Sequence, residues 1–141
     1  SSDISVTDRM PSIAIIDFEG VGVSQEETRV LTIRVGTYLV QSGKYTVIER
    51  EKMERILEEQ DFQLTGCTSN ECAVQIGQLI GAEQMLAGAF GKIGSLYTID
   101  MRIIDVEKGS ILRTASYNVQ DSIDKVLTEG LLEAARQITG D

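Results

Sequence analysis

Two cysteines and a set of carboxylates are the residues of this sequence best suited to chemistry, and no histidine accompanies them. Cys67 and Cys72 stand in Gly66-Cys67-Thr68-Ser69-Asn70-Glu71-Cys72, a run of turn-forming residues just ahead of a helical pattern. A zinc site normally takes four Cys or His ligands, and two thiols alone fall short of that. A redox pair more usually has C-x-x-C spacing, although Cys72, near a helix N-terminus, would be an acidified and reactive thiol if it were free. A local structural disulfide is the preferred reading, with free thiols as the alternative.

Without histidine there is no Ser-His-Asp or Cys-His relay, so catalysis would have to rest on carboxylates or lysines. Asp17 and Glu19 follow a run that reads as a parallel strand, and Glu49 ends the next strand; that is the edge where α/β sheets place ligands. A carboxylate-dependent or small-ligand site at Asp17, Glu19 and Glu49 is thus one reading. With 22 acidic residues in the chain, such neighbours also arise by composition alone, and solvated or capping carboxylates are the simpler account. Gly20-Val21-Gly22 sits where a dinucleotide fingerprint would begin. Gln25 replaces its third glycine, and Glu26 and Glu27 occupy the helix start that would otherwise receive a pyrophosphate. No metal or cofactor is expected, and the chain is read as a non-enzyme.

The elements that position these residues follow from period and capping. Ile13-Ala14-Ile15-Ile16-Asp17-Phe18 is a continuous, β-branched apolar run that suits a central strand covered on both faces. Ser24 and Glu27 form a capping-box pattern, and Leu31, Val35, Tyr38 and Leu39 recur at helical spacing up to Gly43, giving a helix over Ser24 to Gln41. Tyr45 to Ile48 reads as a second strand, parallel to the first through a right-handed crossover. Met53, Ile56 and Leu57 mark a second helix. Asn70 caps a third, with Val74, Ile76, Leu79 and Ile80 as its buried stripe. Met85 to Ile93, Leu96 to Asp105 and Ile111 to Val119 alternate with period two, joined by tight turns at Gly94-Ser95 and Glu107-Lys108-Gly109. Asp121 and Asp124 cap a last helix. The expected fold is α/β (α+β), ordered β-α-β-α-α-β-β-β-α, with a mixed five-stranded sheet whose first half is parallel and whose C-terminal part is an antiparallel meander. Residues 1–11 read as a flexible arm and 12–141 as one domain, the commonest size for a single core.

The formal net charge is −9, with 13 scattered basic residues. Phosphate backbones and anionic lipid surfaces would be repelled, so neither nucleic acid nor a bare membrane is an expected partner.

In order and spacing, three groups of motifs resemble the curli-production assembly/transport (CsgG-like) family. They are the Ile13–Phe18 run, Gly43-Lys44-Tyr45-Thr46-Val47-Ile48-Glu49-Arg50 with Ile56-Leu57-Glu58-Glu59-Gln60, and Gly81-Ala82-Glu83-Gln84 with Ile103-Ile104-Asp105-Val106-Glu107-Lys108-Gly109. The resemblance implies a periplasmic domain of a bacterial envelope lipoprotein, held at the outer membrane through a lipid anchor outside this sequence. It would act non-enzymatically in assembly, secretion or scaffolding, through a protein partner or its own copies. The family's channel members build a barrel from long hairpin insertions, for which the tight turns here leave no strands. Similar domains occur in activators of penicillin-binding proteins, so a peptidoglycan-synthase docking domain is the alternative. Candidate partner contacts are Arg29, Tyr38 and Asn70.

Overall fold

The run that opens the domain is interrupted where its sequence shows no break. In the computed structural model, which describes residues 9–63, 67–120 and 122–140, strand β1 spans Ser12–Ile15 and a separate short strand β2 spans Glu19–Val21. Both pair in parallel with β4, Gln84–Ile93. Ile15 lies opposite Leu86 and Glu19 opposite Ala89, so four steps on one side face three on the other. One extra residue in a strand breaks the ladder and reverses the alternation of side chains. As a result Ile13 and Phe18 enter the same core cluster, Ile16 enters the opposite one, and Asp17 is turned outward.

The six-stranded sheet runs β3-β1-β4-β5-β6, with β2 also on β4. β3 is only Thr46–Val47, shorter than the expected Tyr45 to Ile48. β5, Leu96–Asp105, and β6, Ile111–Gln120, complete the antiparallel meander. Gly94 takes φ +61° in the turn between β4 and β5, where Ile93 pairs with Leu96; a positive φ there is what a two-residue hairpin requires.

Helix α1, Gln25–Ser42, carries both halves of the expected capping box: the Glu27 N–H donates to Ser24 Oγ at 3.0 Å, and the Ser24 N–H to Glu27 Oε1 at 3.1 Å. Together with the C-terminal helix it covers one sheet face, burying Leu31, Val35, Leu39, Leu131, Ala134 and Ile138 against strand residues such as Ile99 and Phe90. Helices α2, Arg50–Glu59, and α3, Asn70–Ile80, cover the other, where Met53, Leu57, Ala73 and Ile76 meet Ala14, Met85 and Ile104. Val74 and Leu79 only border that cluster, and Ala73 and Gly77 take the central places of the stripe.

Two capping assignments shift. Ser69, not Asn70, caps α3, its hydroxyl accepting from the Cys72 N–H at 3.1 Å. Ser122 caps the last helix by accepting from Lys125; Asp124 lies in its first turn, and Asp121 falls outside the described residues. The last helix is three segments: α4, Ile123–Lys125, a π-helical turn, Val126–Gly130, and α5, Leu131–Thr139. At the N-terminal end, Arg9 forks onto Glu83 with both guanidinium nitrogens, at 3.0 and 2.6 Å, and the Ser12 N–H reaches the same carboxylate at 3.1 Å.

Candidate functional site

The chain leaves β1 over one sheet face through α1 to β3, then returns over the other face through α2 and α3 to β4. The two crossovers diverge at β1, and α/β sheets open a crevice at the carboxyl end of such a strand. A cleft of ≈ 660 Å³ lies there. Thr28 and Thr32 of α1 line it with their hydroxyls turned back onto the carbonyls of Ser24 and Thr28 at 2.8 Å each. Asp17, Glu19, Glu26, Arg29 and Arg50 supply its charged groups.

Arg50, the first residue of α2, organises that cleft. Its two terminal nitrogens both donate to Asp17, the second at 3.1 Å to Oδ2, and its Nε lies 3.2 Å from Glu54 Oε2, one helical turn on. Hydrogen bonding to Asp17 is the leading cause that raises the Arg50 pKa above its ordinary value, with the nearby Glu54 carboxylate adding to it and burial opposing it. Both Asp17 oxygens are therefore engaged by a guanidinium, an arrangement that orders the cleft wall around this carboxylate.

The structure gathers Asp17 and Glu19 into the cleft but leaves Glu49 out of it. Glu49 precedes α2 as an N-cap without a side-chain hydrogen bond. Arg50 belongs to the cleft and was not singled out by the sequence; Glu26, read only as an acidic helix start, belongs to it too. The signal for Arg50 was its position, three residues beyond a parallel strand and the first of a helix. Among the described residues no group of three or more His, Cys, Asp or Glu side chains could hold a metal ion.

The cysteine loop forms another wall, through Cys67 and Thr68. Cys67 and Cys72 are joined by a disulfide with their Cα atoms 5.6 Å apart. Arg102 of β5 secures the same loop, its Nε donating to Asn70 Oδ1 at 2.6 Å and its terminal nitrogen to the Thr68 carbonyl at 2.8 Å. Of the candidate partner contacts, Asn70 is thus tied into the domain. Tyr38 is half-buried, with its hydroxyl donating to the Leu127 carbonyl at 3.2 Å. Arg29 is exposed.

With this geometry in view, the family model DUF3280, described as a protein of unknown function (DUF2380), matches residues 16–137. The chain belongs to this family. The match corrects the CsgG-like resemblance, whose motifs fall on strands, turns and helix starts of this chain. Among solved structures, the LpoB C-terminal domain from Escherichia coli is 14% identical with a TM-score of 0.69, over 79% of this chain and 84% of that one. Lipoprotein GNA1162 from Neisseria meningitidis is 15% identical with a TM-score of 0.65, over 87% and 88%. The PelC dodecamer from Paraburkholderia phytofirmans is 13% identical with a TM-score of 0.56, over 92% and 88%. At these identities the likenesses show the fold. No curated protein matches the chain. No helix among the described residues is long and apolar enough to cross a membrane.

Proposed function

We propose that this domain is a non-enzymatic docking module of the bacterial cell envelope, of the peptidoglycan-synthase activator type. The observation that carries the reading is the fold it shares with the LpoB C-terminal domain at a TM-score of 0.69, over most of both chains. In the cleft, Asp17 is paired with Arg50, which stiffens the wall beside the cysteine loop. The likeness to a protein titled as a lipoprotein supports a periplasmic setting at the outer membrane. The disulfide fits such an oxidising compartment.

The test is binding of the purified chain to the soluble ectodomains of the source bacterium's bifunctional penicillin-binding proteins, followed by biolayer interferometry, with glycan-strand polymerisation measured alongside. Saturable binding to one ectodomain with faster polymerisation is the expected result. Failure to bind any of them overturns the reading.

Self-assembly is the second reading, favoured by the likeness to the PelC dodecamer. β6 is the last strand of its sheet, and Gln137 meets its outer edge by accepting from the Ser116 N–H at 3.2 Å. Light scattering after size exclusion separates the two: a monomer supports docking, and a discrete closed ring supports assembly.

A further inference from the structure

Helix α1 is apolar on two opposite sides. Its inner side buries Leu31, Val35 and Leu39, while Val30, Ile33 and Val40 stand 47, 54 and 59% exposed on the outer one. With the exposed Thr37 these residues fall at i, i+3, i+7 and i+10, the spacing of a coiled-coil seam, over about 15 Å of helix. Arg29 and Arg34 border the seam on its two sides, both exposed and neither in an ion pair or hydrogen bond with any described residue. The surrounding charge is unusual for this protein. Its net charge is −9, yet from Thr28 to Ile48 the sequence has three basic residues, Arg29, Arg34 and Lys44, and no acidic one.

We propose that this outer face of α1 is the docking surface of the domain, and that it receives a partner protein element presenting an aliphatic stripe bordered by carboxylates. The proposal rests on the docking reading above and assigns it a place and a chemistry. Charge selects the partner. A second copy is disfavoured, because antiparallel pairing of two seams sets Arg34 beside its own copy near the two-fold axis, and parallel pairing sets Arg29 of each helix beside Arg34 of the other. Like charges across a seam act against association, and the acidic residues of α1, Glu26 and Glu27, stand only in its first turn, ahead of the seam. An anionic lipid surface is disfavoured by the chain's 22 acidic residues, all outside this segment, and by a seam without an aromatic anchor. An acidic amphipathic element meets both halves of the surface, its aliphatics covering Val30, Ile33 and Val40 and its carboxylates reaching the two guanidiniums.

The probe is a synthetic 21-residue helical peptide with Leu at heptad positions a and d and Glu at e and g, compared with a twin carrying Lys at e and g. Each is titrated into the 15N-labelled chain and followed by amide chemical shifts. The acidic peptide should give saturable shifts centred on residues 29–41, and the basic twin should bind at least about tenfold more weakly, the ~1.4 kcal/mol per decade scale of a charge-selected contact. Ile33→Asp should remove binding, and Arg34→Glu should reverse the preference between the peptides. Both substitutions are at exposed positions, so an unchanged Tm shows that folding is intact. Equal response to the two peptides, shifts elsewhere, or none at millimolar peptide overturns the proposal. So does binding to phosphatidylglycerol vesicles, or concentration-dependent dimerisation, that Ile33→Asp abolishes. If a penicillin-binding protein still binds the Ile33→Asp variant with parental affinity, the docking reading stands and the α1 surface falls. If the acidic peptide binds as expected while no penicillin-binding protein binds the parent, the surface stands and the synthase reading falls.

Discussion

Gly88 on β4 is where an added methyl group should do most harm. A Cβ built there would overlap the backbone carbonyl oxygen of Asp100 on the neighbouring strand and lie 2.6 and 3.0 Å from Cε2 and Cζ of Phe18. Neither contact can yield cheaply. The carbonyl belongs to the β4–β5 ladder, and the Phe18 ring is stacked on Phe90 with centroids 4.7 Å apart in the core. Overpacking a filled site costs about 1–3 kcal/mol, and the backbone contact places Gly88→Ala at the upper end. Replacing glycine also narrows the unfolded ensemble, which returns about 0.4–1 kcal/mol. The net loss should be about 2 kcal/mol, or a fall in Tm of roughly 6–8 °C for a domain of this size. The assay is thermal unfolding by circular dichroism, with urea unfolding to confirm that the m-value is unchanged. Phe18→Leu removes the ring but leaves the carbonyl contact. The double variant should therefore lose less than the two singles together, with a coupling of at least about 0.5 kcal/mol. A Gly88→Ala protein that melts within about 1 °C of the parent would refute the reasoning, as would strict additivity in the cycle.

Three further outcomes follow from local geometry. Thiol titration of unfolded, unreduced protein should find no free thiol, and Cys67→Ser with Cys72→Ser should cost about 2 kcal/mol, the chain-entropy value for so short a loop. Ser24→Ala removes the hydroxyl that accepts from the Glu27 N–H and should destabilise by about 1 kcal/mol in urea unfolding. Hydrogen bonding from Arg9, and then from the Ser12 N–H, lowers the Glu83 pKa below its ordinary 4.5. A lowered folded-state pKa gives stability that is present above pH 4.5 and lost as the pH falls through the folded value. The carboxyl carbon of Glu83 should accordingly titrate below 4.5 by NMR, and Arg9→Ala should move its midpoint upward.

What the sequence revealed and what it hid have physical causes. Capping at Ser24 and Glu27, the hairpin at Gly94-Ser95 and the alternation of Ile99, Met101 and Ile103 are local signals, decided by residues within a few positions of one another, and they read correctly. The break between β1 and β2 left no trace, because an apolar run looks the same whether or not an extra residue lies opposite its partner strand. Ser69 and Asn70 are both good N-caps, and only the backbone geometry around Cys72 decides between them. Glu49 was grouped with Asp17 and Glu19 from strand position alone, whereas Arg50 beside it is the residue that closes on Asp17. On α1 the two apolar sides blur the helical period. Tyr38 was read as both core-facing and exposed; the structure turns it toward Leu127 and leaves Val30, Ile33 and Val40 outward.

The distribution of paired and unpaired charge ties these observations to function. In the cleft, Asp17, Arg50 and Glu54 form one chain of contacts, so a ligand seeking Arg50 would have to displace two carboxylates of the same molecule. On α1, Arg29 and Arg34 form no ion pair or hydrogen bond with the described residues. Exposed guanidiniums at the border of an apolar patch add little affinity in water, but they orient an approaching anionic surface and raise the rate of productive encounter. Affinity must then come from the aliphatic side chains they flank, which lose water only when a partner covers them. The division predicts different signatures for neighbouring positions on one helix. Removing Arg34 should slow association and flatten its salt dependence, while removing the Ile33 side chain should speed dissociation.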